Sequence, residues 1–214
     1  MGEEYYDKEY FEYQKKMGEF GGKANQFLFR EYIGKNDDVL DFGCGGGFTL
    51  KGYDTTGKKV GVEINPSARE IAKSIGIDEV HERIQEIPDN YVNVATSNHC
   101  LEHVEDPASI LKEMKRVVKP QGKIIIVVPH EVKGKVIEDD VDKHIYTWSP
   151  QNMKNLFEFC GIRVISAQRI NHRWCPKRMW VTKHLGWNIF NALSRVYSFI
   201  TNTHQTRVVG VVEK

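Results

Sequence analysis

Asp41-Phe42-Gly43-Cys44-Gly45-Gly46-Gly47 follows Asp38-Val39-Leu40, and this stretch decides how the chain is read. A short apolar run that breaks into glycines predicts a buried strand turning sharply into a helix. Glycine adopts backbone angles closed to other residues, so such a turn brings main chain close to a ligand. Outward from it, Lys59-Val60-Gly61-Val62-Glu63-Ile64 reads as the next strand. Pro66 then opens a helical pattern that runs to Ser74, since proline in a first helical turn loses no needed N–H. Asp78 to Glu82 gives a short third strand and Tyr91-Val92-Asn93-Val94-Ala95-Thr96 a fourth. A helix is predicted from about Pro107 to Val118, and Pro120-Gln121-Gly122 as the turn into Lys123-Ile124-Ile125-Ile126-Val127-Val128. That unbroken β-branched run belongs in a strand buried on both faces, as in a parallel sheet.

Upstream, amphipathic stretches run from about Asp7 to Met17 and from about Lys23 to Ile33, the second ended by Gly34. Downstream come an irregular segment, 129–148, a helix from about Pro150 to Cys160 and a strand from Ile162 to Ile170. A second insertion, about 171–204, precedes a last strand over Thr206-Arg207-Val208-Val209-Gly210-Val211-Val212. Strands alternating with helices predict a doubly wound α/β fold with ligands at the carboxyl ends of the strands. Residues 1–214 read as a single domain, 1–35 as an N-terminal helical cover, and the insertions 129–148 and 171–204 as segments on or beside the active face that shape the acceptor site.

Composition narrows the class. At 214 residues, 40% hydrophobic and 28% charged, the chain can bury a substantial core. Cys44, Cys100, Cys160 and Cys175 lie far apart with no CxxC pair, which argues against a disulfide framework or a zinc knuckle. A reducing, cytoplasmic setting is therefore expected, and the acidic, aromatic start Met1-Gly2-Glu3-Glu4-Tyr5-Tyr6-Asp7 does not read as a signal peptide. No apolar run approaches the roughly 18–20 residues that span a bilayer. The net charge of +1 conceals a division: residues 1–158 hold 21 basic and 28 acidic side chains, whereas residues 159–212 hold eight basic and none acidic. Glu213 and Lys214 cancel, so the two segments carry −7 and +8.

Glycines stand at 43, 45, 46 and 47, spaced as Gly43, Gly45 and Gly47, and counted from Gly43 the position where a dinucleotide turn requires its third glycine is Phe48. Asp41 precedes the first glycine by two residues. A carboxylate there repels a pyrophosphate and suits a cationic amino-acid end, which fits a sulfonium nucleoside better than a dinucleotide. Glu63, closing the second strand, is placed to accept hydrogen bonds from ribose hydroxyls. The plain alternative is that Asp41 caps the turn and Glu63 is a solvated strand end.

Asp41 to Gly47 resembles motif I of the class I methyltransferases that use S-adenosylmethionine. Asn98-His99-Cys100-Leu101-Glu102-His103-Val104-Glu105-Asp106-Pro107 is similar to the segment after strand four in the branch related to ubiquinone and menaquinone biosynthesis. Arg116-Val117-Val118-Lys119-Pro120-Gln121-Gly122 resembles that branch's helix-to-strand turn, with Gln121 where glycine is usual. The resemblance covers roughly residues 36–170. It implies a Rossmann-like, seven-stranded, mostly parallel sheet with an antiparallel last strand. It also implies S-adenosylmethionine as cofactor, with Asp41, Gly43, Cys44 and Gly45 along its methionine moiety and Glu63 at its ribose. The backbone near Asn98 and His99 would close over the sulfonium. Where the family often carries an acid for the adenine amino group this chain has Arg83, leaving adenine to the Ile84 backbone and to contacts from Ile64.

An oxygen acceptor benefits from a general base, commonly histidine. The resemblance ranks His144 first, as a substrate-side residue before the helix leading to strand six; its alternative is a bond to loop backbone. His103 faces the cofactor pocket in the resembling family, or else packs a helix start. His130, directly after strand five, is the runner-up to His144. Cys100 with His103 alone makes a poor metal pair, so no metal is expected. Tyr5, Tyr6, Tyr10, Phe11 and Tyr13 either cover the cofactor or pack on the domain.

The segment from Arg169 to Arg195 interleaves basic residues with Trp174, Trp180, Trp187 and Phe190, and Ile189, Phe190, Leu193, Val196, Tyr197 and Ile200 share a helical face. Such a segment suits a membrane interface or a grip on phosphates; a substrate lid or subunit contact is the alternative. Peripheral contact with the inner face of the membrane through 169–200 thus stays open, as does an oligomer. The acceptor expected first is a sugar or lipid-linked, phosphate-bearing glycan, methylated on oxygen. A quinone-like or other small lipophilic acceptor is the alternative, followed by tRNA, nucleic acid ranking lower because no RNA-binding module is appended. A non-catalytic scaffold that keeps the fold is the remaining class.

Overall fold

The computed structural model describes residues 17–130 and 142–213. The aromatic N-terminal stretch, all but the last residue of the helix expected over Asp7–Met17, and most of the insertion after strand five fall outside the described residues.

In chain order, α1 (17–24) is followed by β1 (Val39–Phe42), α2 (Phe48–Lys51), β2 (Lys59–Val62), α3 (Pro66–Ser74), β3 (Glu79–His81) and β4 (Val92–Asn98). Then come α4 (Pro107–Val117), β5 (Val118–His130), α5 (Pro150–Phe159), β6 (Arg163–Ile170), α6 (Arg178–His184), α7 (Gly186–Thr201) and β7 (His204–Val211). The strands form one sheet in the order β3-β2-β1-β4-β5-β7-β6. β1 pairs parallel with β2, and β2 with β3. β7 runs antiparallel to both β5 and β6, as expected for the last strand. Ile124 to Val128 are fully buried, the both-face burial their β-branched run predicts.

The chain forms two compact units. One holds the described residues up to Thr96 with Arg116–Gly122; the other holds Ser97–Lys115 with the described residues from Lys123 onward.

In the first unit, Phe48 fits because glycines yield to it. A Cβ on Gly18 would stand 2.7 Å from Phe48 Cδ2 and one on Gly22 2.6 Å from its carbonyl oxygen. These glycines, one turn apart on α1, let that helix lie against α2. The single helix predicted over Lys23–Ile33 is not formed: after α1 the chain makes two 3-10 turns, Gln26–Leu28 and Arg30–Tyr32. Gln26 Nε2 donates to the Gly22 carbonyl at 2.6 Å and to the Thr49 carbonyl at 2.9 Å. The first of these carbonyls is the one the Gln26 N–H would need in a continuing α-helix. α3 starts as read, with Asn65 Oδ1 accepting from Ala68 N at 3.1 Å and proline in the first turn. The predicted turn at Pro120-Gln121-Gly122 lies inside β5, as a kink with Gln121 at φ 63°.

In the second unit, α5 packs so closely on β7 that a Cβ on Gly210 would lie 2.9 Å from Phe157 Cδ1. The 171–204 insertion folds as α6 and α7. The apolar residues of α7 do not share one environment. Phe190 is buried with Ser194 and Ser198, whereas Ile189, Leu193, Val196 and Ile200 are exposed. Helical periodicity groups residues by angle and carries no sign of which side the protein covers.

Candidate functional site

Gly43, Gly45 and Gly47 all take positive φ, 73°, 52° and 77°. The Gly43 and Cys44 N–H groups donate to the Val62 carbonyl at 2.8 and 3.1 Å, which lays the turn across the end of β2. Cys44 is buried, its thiol directed to the Gly45 carbonyl, and a side chain on Gly61 would collide with its sulfur. Over Gly45 no atom of the described residues, its chain neighbours aside, lies within 4 Å of where a Cβ would be, so among them the turn's backbone is open to a ligand there.

Glu63 closes this cradle. Its Oε2 accepts from Gly45 N at 2.9 Å and its Oε1 from Asn65 N at 2.8 Å, which fixes the carboxylate against the glycine turn. A carboxylate has about four acceptor positions, so among the described residues two are left for a ligand's hydroxyls. Ile64, beside it, is 79% exposed. Arg69, which sequence reasoning missed, donates to the Glu63 and Ile64 carbonyls at 2.9 and 2.7 Å and pairs with Glu82 at 3.1 Å. It thereby ties the end of β2 to the residue after β3. Its only sequence signal is its place in the first turns of α3.

Asp41 is buried on β1 and accepts from Thr96 Oγ1 at 2.8 Å. Burial, chiefly, and then the negative charge of Glu63 push its carboxyl up to about 7 against the lowering effect of the Thr96 bond. Tyr53, whose hydroxyl donates to Thr96 Oγ1 at 3.3 Å, is also raised by burial first and by Asp41 second.

Arg83 caps a 3-10 turn, Ile84–Glu86, with its side chain exposed and 3.6 Å from Glu82. Ile84 is buried, and its carbonyl accepts from Arg116 Nη2 at 3.2 Å and from Ile87 N at 3.1 Å.

A second polar group lies in the other unit. Asn98 ends β4, and its Oδ1 is buried without a hydrogen-bond partner among the described residues. His99 follows in the left-handed region, φ 52°, with its N–H on the Val127 carbonyl at 2.8 Å. A 3-10 turn, Leu101–His103, is anchored by fully buried Leu101 and turns Glu102 inward to 1% exposure. Neither Glu102 oxygen has a hydrogen-bond partner among the described residues. Oε1 lies 3.5 Å from His99 Nδ1 and 4.0 Å from His144 Nε2. His144 meets His103 edge-on, ring centroids 4.9 Å apart. Ile145 N, donating to the Glu102 carbonyl at 2.9 Å, holds the His144 segment in place.

The structure thus gathers His99, His103 and His144 around Glu102, which sequence reasoning did not single out as a site residue. Ligand atoms of Glu102, His103 and His144 all fall within 4.8 Å of one another, so these three, rather than Cys100 with His103, could hold a cation. His130 sits elsewhere: its Nδ1 is 3.1 Å from Thr206 Oγ1 and its ring 6.2 Å from that of His204. Burial first, then Arg169, lower its pKa.

The family model described as a methyltransferase domain matches residues 13–167, well over half of the chain. The chain belongs to the methyltransferase domain family.

Two relatives of this methyltransferase are ubiquinone biosynthesis O-methyltransferases. That of Aeromonas salmonicida is 35% identical over 99 residues, 41% of this chain and 41% of that protein. That of Sodalis glossinidius is 39% identical over 103 residues, 43% of this chain and 40% of that protein. The chain therefore spans about two-fifths of the length of the relatives it matches. In fold it is similar to a SAM dependent methyltransferase from Aquifex aeolicus, at TM-score 0.62 and 18% identity over 94% of this chain and 97% of that one. The cofactor of the methyltransferase is S-adenosylmethionine. The residues present fit it: open backbone over Gly45, an anchored carboxylate at Glu63, and a buried acid at Asp41 whose ionisation a cationic group would favour.

Proposed function

We propose that this methyltransferase methylates a hydroxyl oxygen on an aromatic, lipophilic acceptor of the quinone-precursor kind, with His144 as general base. The observation that carries the reading is His144 held 4.0 Å from the buried carboxylate of Glu102. The likeness to ubiquinone biosynthesis O-methyltransferases supports the acceptor class.

When bound, S-adenosylmethionine supplies a methyl group on a sulfonium that leaves as a neutral thioether. The glycine turn, Asp41 and Glu63 bind and orient that donor, and orientation is the main protein contribution to such a displacement. His144 takes the proton from the acceptor hydroxyl as its oxygen bonds to the methyl group. Glu102, acting through His144, offsets the positive charge the imidazole then carries.

The test is methyl transfer from labelled donor to a panel of polyprenylated phenols, sugar phosphates, lipid-linked glycans and tRNA. Label in the phenols is expected. Label only in the glycan pool would replace this reading with the phosphate-bearing acceptor that the acid-free segment 159–212 favours; label only in tRNA would overturn both.

A further inference from the structure

The helix α7 is turned inside out for a protein in water. Its inward face carries Phe190, Ser194 and Ser198. Its outward face carries Ile189, Leu193, Val196, Phe199 and Ile200, exposed by 42–75%, with exposed Ala192 among them. On a helical wheel these residues, with Leu185 just before the helix, fall within about 120° and include no polar side chain. Met179 and Trp180 add to the exposed apolar surface on α6. Exposed apolar surface of this extent marks a face meant to be covered.

Charge decides what covers it. Residues 159–212 hold eight basic side chains and no acid, and Lys177 and Lys183 at the two ends of α6 and Arg195 on α7 are exposed. A second copy of the chain, docked on a two-fold axis, would set this basic segment against itself. An anionic lipid surface complements both the charge and the apolar stripe. Among the described residues no helix is long and apolar enough to cross a membrane. The 16 residues of α7 reach about 24 Å, short of a bilayer core, so the helix lies along the interface.

We infer that α6 and α7 form an interfacial membrane anchor, with the apolar stripe of α7 at the acyl boundary of an anionic bilayer and Lys177, Lys183 and Arg195 at its headgroups. The inference stands apart from the acceptor's identity, because binding is measured with no acceptor present.

The experiment is co-sedimentation of the full chain with phosphatidylcholine vesicles, with and without phosphatidylglycerol. Binding is expected with the anionic lipid and weakens as salt rises. Lys177→Glu, Lys183→Glu and Arg195→Glu together should weaken it by on the order of a hundredfold or more. Val196→Asp with Ile200→Asp should abolish it, with S-adenosylhomocysteine affinity unchanged as the control for folding. Should that pair fail to fold, the charge-reversed triple variant alone decides. No binding to anionic vesicles, or binding indifferent to the triple variant, overturns the anchor. So does a dimer in vesicle-free solution that the Val196 and Ile200 changes dissociate, since the stripe would then be a subunit contact.

Discussion

Thr96 Oγ1 stands 2.8 Å from Asp41 Oδ1 and 3.1 Å from the Leu40 carbonyl, and its one proton can serve only one of them. With Asp41 ionised, the hydroxyl donates to the carboxylate. With Asp41 protonated, Asp41 can donate to Thr96 and the hydroxyl is released to Leu40. The protonation state of this acid therefore sets the direction of the hydrogen bonds beneath the glycine turn.

The pH dependence follows from that. Asp41 is raised from 3.8 to about 7, so the folded free protein holds a proton the unfolded chain has lost. Its contribution to stability is full below about pH 4 and declines as pH rises to about 7, by up to about 4 kcal/mol. A cationic amino-acid end beside Asp41 favours the ionised form. Affinity for S-adenosylhomocysteine, which keeps that end, should thus rise with pH to about 7 and be about tenfold weaker at pH 6. Calorimetric titration from pH 5.5 to 8.5 checks this. Asp41→Asn should flatten the profile, and a flat wild-type profile would remove Asp41 from cofactor binding.

Two glycines of the same turn should fail differently when replaced by alanine. At Gly45 the added Cβ meets no atom of the described residues within 4 Å, its chain neighbours aside, so among them only the φ of 52° is strained. That costs about 1–2 kcal/mol, a loss of roughly 2–8 °C in Tm, while cofactor affinity falls more than about tenfold because the Cβ fills the ligand's approach. At Gly47 the Cβ would stand 2.8 Å from Ile77 Cγ1 and 3.1 Å from Ala72 Cβ. Strain and overpacking together should cost about 2–4 kcal/mol, roughly 4–16 °C in Tm. Melting curves beside cofactor titrations separate the two; equal losses of stability would show that the open space over Gly45 has no special role.

What the sequence disclosed follows the reach of each constraint. The turn at Gly43–Gly47 and the acid at Glu63 are local, enforced by backbone angles and strand ends, and both were readable. The helix expected over Lys23–Ile33 failed because the Gln26 side chain takes the Gly22 carbonyl, a competition that hydrophobic spacing does not register. Glu102 escaped notice because Leu101-Glu102-His103 reads as any polar helix start. Only the return of His144 from far along the chain sets it in a polar cluster. The outward face of α7 was hidden for a third reason, that a periodic pattern does not say which side is covered.

Replacing His144 by glutamine should lower kcat by roughly a hundred- to ten-thousand-fold, with cofactor affinity unchanged. Glu102→Gln should lower kcat less, because the role proposed for its carboxylate is to act through the His144 ring 4.0 Å away. His130→Gln should leave kcat within about twofold of wild type, because that ring is engaged with Thr206 rather than with the Glu102 group. Single-turnover rates measure all three. Unchanged chemistry in His144→Gln would remove it from the reaction.

His172 gives the second unit its own response to acid. It is buried, with Nε2 3.3 Å from Asn191 Oδ1 and its ring edge-on to Phe190 at 5.8 Å. Burial is the main cause that lowers its pKa from 6.5 to about 4, and nearby Arg195 lowers it further. A histidine depressed in the folded state leaves stability intact above about pH 6.5 and withdraws it as pH falls toward 4, by up to about 3 kcal/mol. Both Asn191 and Phe190 belong to α7, so the loss should loosen that helix first. Hydrogen-exchange protection factors, which divide out the intrinsic pH dependence of amide exchange, should fall from pH 7.5 to pH 5 for α7 amides and not for those of β5 and β7. In His172→Gln, with no ionisable ring, the difference between the two pH values should vanish; if it persists, acid acts on α7 through another group.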